Sequence, residues 1–120
     1  MLERRENTIR IKSRDFAIRI IRCYQYLTDK RSEFVMSKQL LRSGTSIGAN
    51  VRESINAQSR PDFINKLNIA LKEADETDYW LELLLTTGYL NDKEYNSIQD
   101  ECTEIIKMLT SIIKSSKGIS

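Results

Sequence analysis

The fold is decided by residues 95–112, which read YNSIQDECTEIIKMLTSI. Apolar residues recur there at alternating spacings of three and four, a repeat that is typical of helices packed side by side along their length. The positions that carry the repeat are Tyr95, Ile98, Cys102, Ile105, Leu109 and Ile112. Asn91, with Glu94 three residues later, is a capping-box pattern for a helix start. This stretch therefore predicts a helix over residues 92–116 that belongs to a helical bundle.

Three further segments upstream carry apolar residues at helical spacing. Their expected bounds are 13–28, 37–56 and 61–87. Residues suited to helix starts and ends lie at these bounds, since serine favours the N-cap, proline the first turn and glycine the position after the end. These residues are Ser13, Ser37, Pro61 and Gly88. Residues 1–12 have no clear period, and we expect them to form an N-terminal arm.

The chain has one proline and four glycines in 120 residues, which leaves little sequence for long loops. Four helices with short connections predict a single all-α domain, folded as an antiparallel up-down-up-down four-helix bundle. Gly44 and Gly48 lie four residues apart in the second helix, and we expect a neighbouring helix to approach closely there.

Some apolar residues lie outside the simplest core stripes of the predicted helices. A monomer would expose part of this surface, and clustered exposed apolar surface is what an oligomer buries. We therefore expect a homo-oligomer, on the grounds of Ile18, Trp80 and Ile106.

Positive charge is concentrated near the N-terminus. Residues 1–31 contain nine Lys and Arg residues and four acids, although the formal net charge of the whole chain is only +2. Such asymmetry favours a surface that binds a polyanion, so we predict RNA or DNA binding. The expected contact residues are Arg4, Arg5, Arg10, Lys12, Arg14, Arg19 and Arg22.

Negative charge is concentrated on the third predicted helix, at Glu73, Asp75, Glu76, Asp78 and Glu82. Carboxylates that share a helix face repel one another unless a basic surface lies opposite, and the basic N-terminal segment of a neighbouring subunit would serve. The alternative function is therefore a protein–protein scaffold that docks a partner through this acidic surface. A third hypothesis is a carboxylate–metal enzyme built on Glu73 and Glu76.

Most enzyme chemistry lacks its usual residues in this sequence. There is no histidine, which removes the commonest general base and transition-metal ligand, and no glycine-rich phosphate motif precedes a lysine. Cys23 and Cys102 lie too far apart for a zinc motif, and we expect them to be reduced and buried, with a disulfide as the lesser alternative. We therefore predict no catalytic residues, no metal and no cofactor.

No stretch of the chain approaches the roughly 20 apolar residues that a membrane-spanning helix needs. The N-terminal residues also lack an apolar signal core. We expect a cytoplasmic protein that does not enter a membrane.

A second polar series lies beside the apolar stripe of the second helix, at Arg42, Ser46, Asn50 and Glu53. The third helix offers Glu73, Glu76 and Trp80 at matching intervals. An ion pair between Arg42 and a carboxylate would set the register of the two helices. The other interpretation is a polar groove that faces RNA or a partner, and the sequence leaves both open.

Two segments resemble a known family. They are residues 39–53, QLLRSGTSIGANVRE, and residues 70–81, ALKEADETDYWL. The first resembles the signature of the four-helix-bundle proteins encoded in intervening sequences of bacterial 23S ribosomal RNA genes. The resemblance extends from about Phe16 to Lys114, with a departure at Ser54, where the family often has glycine or alanine.

The resemblance implies a cytoplasmic bundle that assembles as a homopentamer, with no enzymatic activity to carry over. The family is similar in fold to the accessory proteins of diversity-generating retroelements, which bind nucleic acid and a reverse transcriptase through a basic surface. By matching positions, it singles out Arg42, Ser46, Asn50, Glu53, Glu73, Glu76 and Trp80. We expect a non-enzymatic, oligomeric accessory protein that binds nucleic acid.

Overall fold

The computed structural model describes residues 4–118 and folds them into four helices. Each helix packs against the next one in the chain, and the fourth packs against the first, so the first and third lie diagonally across the bundle. The all-α, four-helix prediction is confirmed. The helices are α1 (Arg4–Asp29), α2 (Met36–Ile55), α3 (Arg60–Thr86) and α4 (Asp92–Ser116).

Helices α1 and α4 run in opposite directions, as two contacts between them show. Arg5 near the start of α1 reaches Ser115 near the end of α4, whereas Arg19 further along α1 reaches Ser97. One end of the bundle therefore holds the start of α1, the connection between α2 and α3, and the end of α4. The other end holds the α1–α2 and α3–α4 connections.

The apolar seam of α4 faces the core. Ile98, Cys102, Ile105, Leu109 and Ile112 are all buried there. Cys102 packs with its sulfur 3.4 Å from the carbonyl oxygen of Ala74, and burial raises the pKa of its thiol to about 12. Both cysteines are free and buried.

The start of α1 differs from the prediction. Residues 4–12, expected as an arm, are helical, and the first three residues lie outside the described part of the chain. Ser13, expected as the N-cap, is fully buried inside the helix, where its hydroxyl donates to the carbonyl oxygen of Arg10. The prediction was wrong because a serine occupies an inward position and interrupts the apolar stripe. Ile9, only 1% exposed, continues that stripe toward the N-terminus.

The start of α2 also has a different cap from the expected one. Ser37 lies within the first turn of the helix, and the N-cap residue, Val35, makes no side-chain capping bond. The carboxylate of Glu33 instead accepts the backbone N–H groups of Val35, Met36 and Ser37 at 3.2, 3.0 and 2.7 Å. A carboxylate suits this place because it meets both the unpaired N–H groups and the positive end of the helix dipole.

The two glycines of α2 lie where α1 approaches most closely, which confirms that prediction. A Cβ atom added at Gly44 would stand 2.7 Å from Cγ2 of Ile20, and one added at Gly48 would stand 3.3 Å from the backbone oxygen of Ser13. Contacts this short leave no room for a side chain at Gly44 unless the helices separate. The two glycines thereby set the spacing between α1 and α2.

The capping-box prediction for α4 is confirmed. The side chain of Asn91 accepts the backbone N–H of Glu94, and the carboxylate of Glu94 accepts the backbone N–H of Asn91, both at 2.8 Å. Ahead of α3, the hydroxyl of Ser59 accepts the backbone N–H of Asp62 at 3.2 Å. These caps define where the two helices begin and therefore which side chains meet at the bundle ends.

Candidate nucleic-acid interface

Three of the seven predicted nucleic-acid-binding residues face α4. Arg5, Lys12 and Arg19 are spaced seven apart, so they lie on one side of α1. The guanidinium of Arg5 donates to the hydroxyls of Ser111 and Ser115, each at 3.0 Å. Lys12 pairs with Glu104 at 2.5 Å, and Arg19 pairs with Glu101 at 2.6 Å. This ladder joins α1 to α4, and the charges of Lys12 and Arg19 are neutralised by internal ion pairs.

The other four, Arg4, Arg10, Arg14 and Arg22, make no ion pair with another helix in the described part of the chain. Arg10 donates to the side-chain oxygen of Asn7, and Arg14 lies 3.3 Å from its exposed neighbour Asp15. Exposed pairs of this kind contribute only about 0–1 kcal/mol and leave the arginine accessible. The predicted set is therefore split between an internal ladder and an accessible group.

The fold brings further basic residues to the bundle end that contains Arg4 and Arg5. We define the basic end as residues 4–12, 49–70 and 104–118, the parts of the four helices on one side of the level of Ser13 and Gly48. These residues include ten Lys and Arg and four acids, a net charge of +6. The rest of the described chain holds nine Lys and Arg and twelve acids, a net charge of −3. The bundle is thus polarised along its length.

A cleft of about 370 Å³ opens in the basic end between the starts of α1 and α3 and the end of α4. Arg60 lies at its rim and donates to the backbone oxygen of Ser116 at 3.3 Å, so this hydrogen bond leaves its charge unneutralised. A smaller cleft of about 280 Å³ adjoins it and includes Lys107. The residues that line the larger cleft are Arg5, Glu6, Ser59, Arg60, Phe63, Ile112, Ser115 and Ser116.

Sequence reasoning missed the contribution of the C-terminal half to this surface. Residues 105–118 contain three lysines and no acid, a signal that was present in the sequence. All three are exposed, and none makes an ion pair with another described residue. The missed cationic residues of the basic end are Arg52, Arg60, Lys66, Lys107, Lys114 and Lys117, of which Lys66 pairs with Glu53.

The opposite half carries the acidic side of α3. Asp75 and Glu82 are exposed and have no ion-pair partner among the described residues. Burial raises the pKa of Tyr95, and the negative charges of Asp78 and Glu82 raise it further. Tyr79 lies on the same outer side, with 53% of its surface exposed.

Four of the seven residues singled out by the family resemblance form one cluster between α2 and α3. The guanidinium of Arg42 donates to Glu73 at 3.2 Å and to Glu76, and the indole N–H of Trp80 donates to the same Glu76 oxygen at 3.1 Å. The hydrogen bond with Glu76 is the main cause of a raised pKa at Arg42. The cluster holds α2 against α3 at its outer edge.

The remaining three residues do not join the cluster. The hydroxyl of Ser46 donates to the backbone oxygen of Arg42 at 2.6 Å, and the amide of Asn50 donates to that of Ser46 at 2.9 Å. Glu53 lies further along α2, where it pairs with Lys66 of α3 at 3.3 Å. In the polar series of α2, two residues thus form ion pairs with α3, and the two side chains between them bond their own helix.

The comparison with known proteins agrees with this architecture. Residues 5–111 match the model of one family, described as 23S rRNA-intervening sequence protein. The chain belongs to this family. It is also similar to a crystal structure of a protein with unknown function from the S23 ribosomal protein family of Bacteroides thetaiotaomicron VPI-5482. The two chains are 61% identical, with a TM-score of 0.91, over 92% of this chain and 98% of the other.

Membership in the 23S rRNA-intervening sequence protein family brings no assigned activity with it. No curated protein matches the chain. Within residues 4–118, no group of three or more Cys, Asp or Glu residues is placed to hold a metal ion. Across the same residues, no helix has the length and apolar character needed to cross a membrane.

Proposed function

We propose that this chain is a non-enzymatic accessory protein of the cytoplasm that binds RNA or DNA through its basic end. The observation that supports the proposal is the net charge of +6 on residues 4–12, 49–70 and 104–118, set against −3 on the rest of the described chain. We further propose that it acts as a homo-oligomer, which by family resemblance is a pentamer. An assembly would present several basic ends to one polyanion.

The dimensions of the basic end suit a chain of phosphates better than a single small anion. The bundle measures 44 × 23 × 19 Å, so its end face is about 20 Å across. Consecutive phosphates of one DNA strand rise about 3.4 Å along the helix axis, so this face spans roughly six of them. The accessible cations are spread over all four helices rather than gathered at one point, which matches an extended ligand.

The decisive experiment measures binding of fluorescent structured RNA, single-stranded RNA and duplex DNA by anisotropy across a salt series. A variant of the basic end would replace Arg60, Lys107, Lys114 and Lys117 with Gln. The matched control would replace Lys30, Arg31, Lys38 and Lys93 with Gln, which removes the same charge from the other half. We expect the first variant to lose at least tenfold in affinity, and its log–log salt slope to fall by about one for each phosphate that it no longer neutralises.

The control variant separates a local interface from a general effect of net charge. We expect it to keep most of its affinity and its salt slope. Equal losses in the two variants would show that the basic end is not the interface. Absence of binding by the folded wild-type protein at low salt would exclude the nucleic-acid function altogether.

A second candidate function is a scaffold that docks a basic protein, such as a reverse transcriptase, on the acidic side of α3. The observation in its favour is that Asp75 and Glu82 are exposed without ion-pair partners among the described residues, beside the exposed ring of Tyr79. Its test is binding of a purified basic partner, which Asp75→Lys together with Glu82→Lys should abolish. Binding of a short RNA by the basic end of a single chain should survive these substitutions.

A further inference from the structure

The outer side of α1 carries apolar residues that the bundle does not cover. Ile11, Ile18 and Ile21 are 44%, 39% and 39% exposed, although isoleucine is usually buried. They lie within three turns of one helix, and Arg14 and Arg22 lie on the same side of it. We call these five residues, together with Asp15, the α1 outer face.

The outer side of α3 has a complementary composition. Tyr79 is 53% exposed and stands between two exposed acids, Asp75 and Glu82, with the exposed Lys72 one turn before Asp75. These four residues form the α3 outer face. Because α1 and α3 are diagonal in the bundle, the two faces point to opposite sides of the molecule. They cannot meet within one chain, but they can meet between two chains.

The residues of the two faces also lie at matching levels along the bundle. Gly44 of α2 lies against Ile20 of α1, and its neighbour Ser43 accepts a hydrogen bond from Thr77 of α3 at 2.9 Å, so Ile20 and Thr77 are level. Asp15 and Lys72 each precede that level by five residues, and they carry opposite charges. At ~1.5 Å per residue, they lie at the same height.

Beyond Asp15 and Lys72, toward the C-terminal ends of α1 and α3, further residues of the two faces also match in height. Ile21 follows Ile20 by one residue and Tyr79 follows Thr77 by two. These two exposed apolar side chains are therefore at about the same height. Arg22 and Glu82 lie within one turn of each other in height, as do Ile18 and Asp75. Arg14 lies about 6 Å below Asp75, a distance that an arginine side chain can span. Ile21 thus faces Tyr79, and residues of opposite charge lie at heights above and below this apolar pair.

We propose that the α1 outer face of one copy packs against the α3 outer face of a second copy. This contact is head-to-tail, because each copy offers two different surfaces, and repetition of it forms a ring or, if the rotation does not close, a filament. It identifies the surfaces behind the oligomer of the proposed function, but it does not depend on nucleic-acid binding. With no shift in height between copies, every basic end lies on the same rim.

The experiment blocks each face separately and measures mass by light scattering. Ile18→Glu disables the α1 outer face and Tyr79→Lys disables the α3 outer face, and we expect each variant alone to run at the mass of one chain. When the two are mixed, each still offers one intact face, so the mixture should form a species of two chains and no larger one. Val35→Glu, at an apolar residue that is 74% exposed and outside both faces, is the control and should keep the wild-type mass.

A second set of variants reverses charges on the two faces and leaves the apolar residues unchanged. Arg22→Glu alone and Glu82→Arg alone should each weaken assembly at least tenfold, and the two together in one chain should restore it. Circular dichroism of every variant checks that the helices are intact.

Several results would overturn the proposal. A wild-type protein that stays at the mass of one chain would do so, and would leave the α3 outer face to the scaffold function. Assembly that survives both Ile18→Glu and Tyr79→Lys would place the interface elsewhere. Loss of assembly in only one of the two single variants would mean that two identical faces meet instead, and loss in both without recovery on mixing would also contradict the head-to-tail contact. None of these results would change binding of nucleic acid by the basic end of a single chain.

Discussion

At the scale of single residues, the side chain of Glu33 caps the N-terminus of α2. Only 7% of its surface is exposed, and its carboxylate receives three backbone N–H groups that would otherwise be unpaired at the start of α2. Burial works to raise the pKa of this carboxyl, but the hydrogen bonds from Ser37, Met36 and Val35 outweigh it and hold the pKa below its ordinary value of 4.5. The charged form is therefore the one that the fold stabilises.

The lowered pKa of Glu33 predicts a specific pH dependence. A carboxyl with a lower pKa in the folded state contributes stability above the unfolded-state value, and this contribution disappears as pH falls through the folded-state value. Glu33→Gln should reduce the free energy of unfolding at pH 7 by about 1–2 kcal/mol, as the removal of a helix cap does. Urea unfolding at pH 7 and at pH 3 should show the gap between wild type and variant closing at low pH.

The control for Glu33→Gln is the same substitution at a carboxyl on the surface. Glu104→Gln removes one member of an exposed pair with Lys12, and such pairs contribute only about 0–1 kcal/mol. A gap for Glu33→Gln that is no larger than that for Glu104→Gln, or that does not change with pH, would show that Glu33 is not the cap of α2.

At the scale of helices, the start of α1 is held by the buried side chain of Ile9 and by the ladder to α4. Ile9 is 1% exposed, whereas Ile11, two residues further along the same helix, is 44% exposed. Removing a buried isoleucine side chain beyond Cβ leaves a cavity, and removing an exposed one does not. The two residues therefore form a matched pair for testing whether residues 4–12 are part of the folded core.

We expect Ile9→Ala to lower the free energy of unfolding by about 2–4 kcal/mol and Ile11→Ala by less than about 0.5 kcal/mol. Urea unfolding measures both values. Hydrogen exchange should show that the amides of residues 4–12 lose protection in Ile9→Ala but keep it in Ile11→Ala. Equal, small effects of the two substitutions would mean that the first turns of α1 do not pack on the core.

At the scale of the whole molecule, the two proposals reinforce each other. Copies joined through the α1 and α3 outer faces without a shift in height carry their basic ends on one rim, and a long polyanion could contact several of them at once. Basic ends that share one ligand raise the overall affinity through a high effective concentration, without any change at a single end. Assembly should therefore strengthen binding of long RNA more than binding of short RNA.

The assembly variant Ile18→Glu tests this coupling. We expect it to bind an RNA long enough to span several subunits at least tenfold more weakly than wild type, with a shallower log–log salt slope, because fewer phosphates are neutralised. Its affinity for an RNA of about six nucleotides, which covers one basic end, should be unchanged. Equal affinity of wild type and variant for the long RNA would show that binding does not use the assembly.

Local sequence patterns were sufficient to predict four helices and much of their packing. Helical periodicity is local, so the heptad seam of α4 could be recognised without the structure, as could the capping box of Asn91 and Glu94. The small size of Gly44 and Gly48 likewise indicated a close helix contact. The same local reasoning failed at Ser13, because a polar residue in an inward position resembles a cap when only its neighbours in sequence are considered.

The arrangement of charge on the molecule, in contrast, follows from contacts between segments that are far apart in the sequence. Arg5 and Ser115 are 110 residues apart in the chain and yet form a hydrogen bond, and this approach of the two ends of the chain is what joins the N-terminal arginines to the C-terminal lysines. The same packing pairs Lys12 and Arg19 with carboxylates of α4. Which charges are neutralised and which stay accessible depends on contacts between distant segments, and no local pattern encodes that pairing.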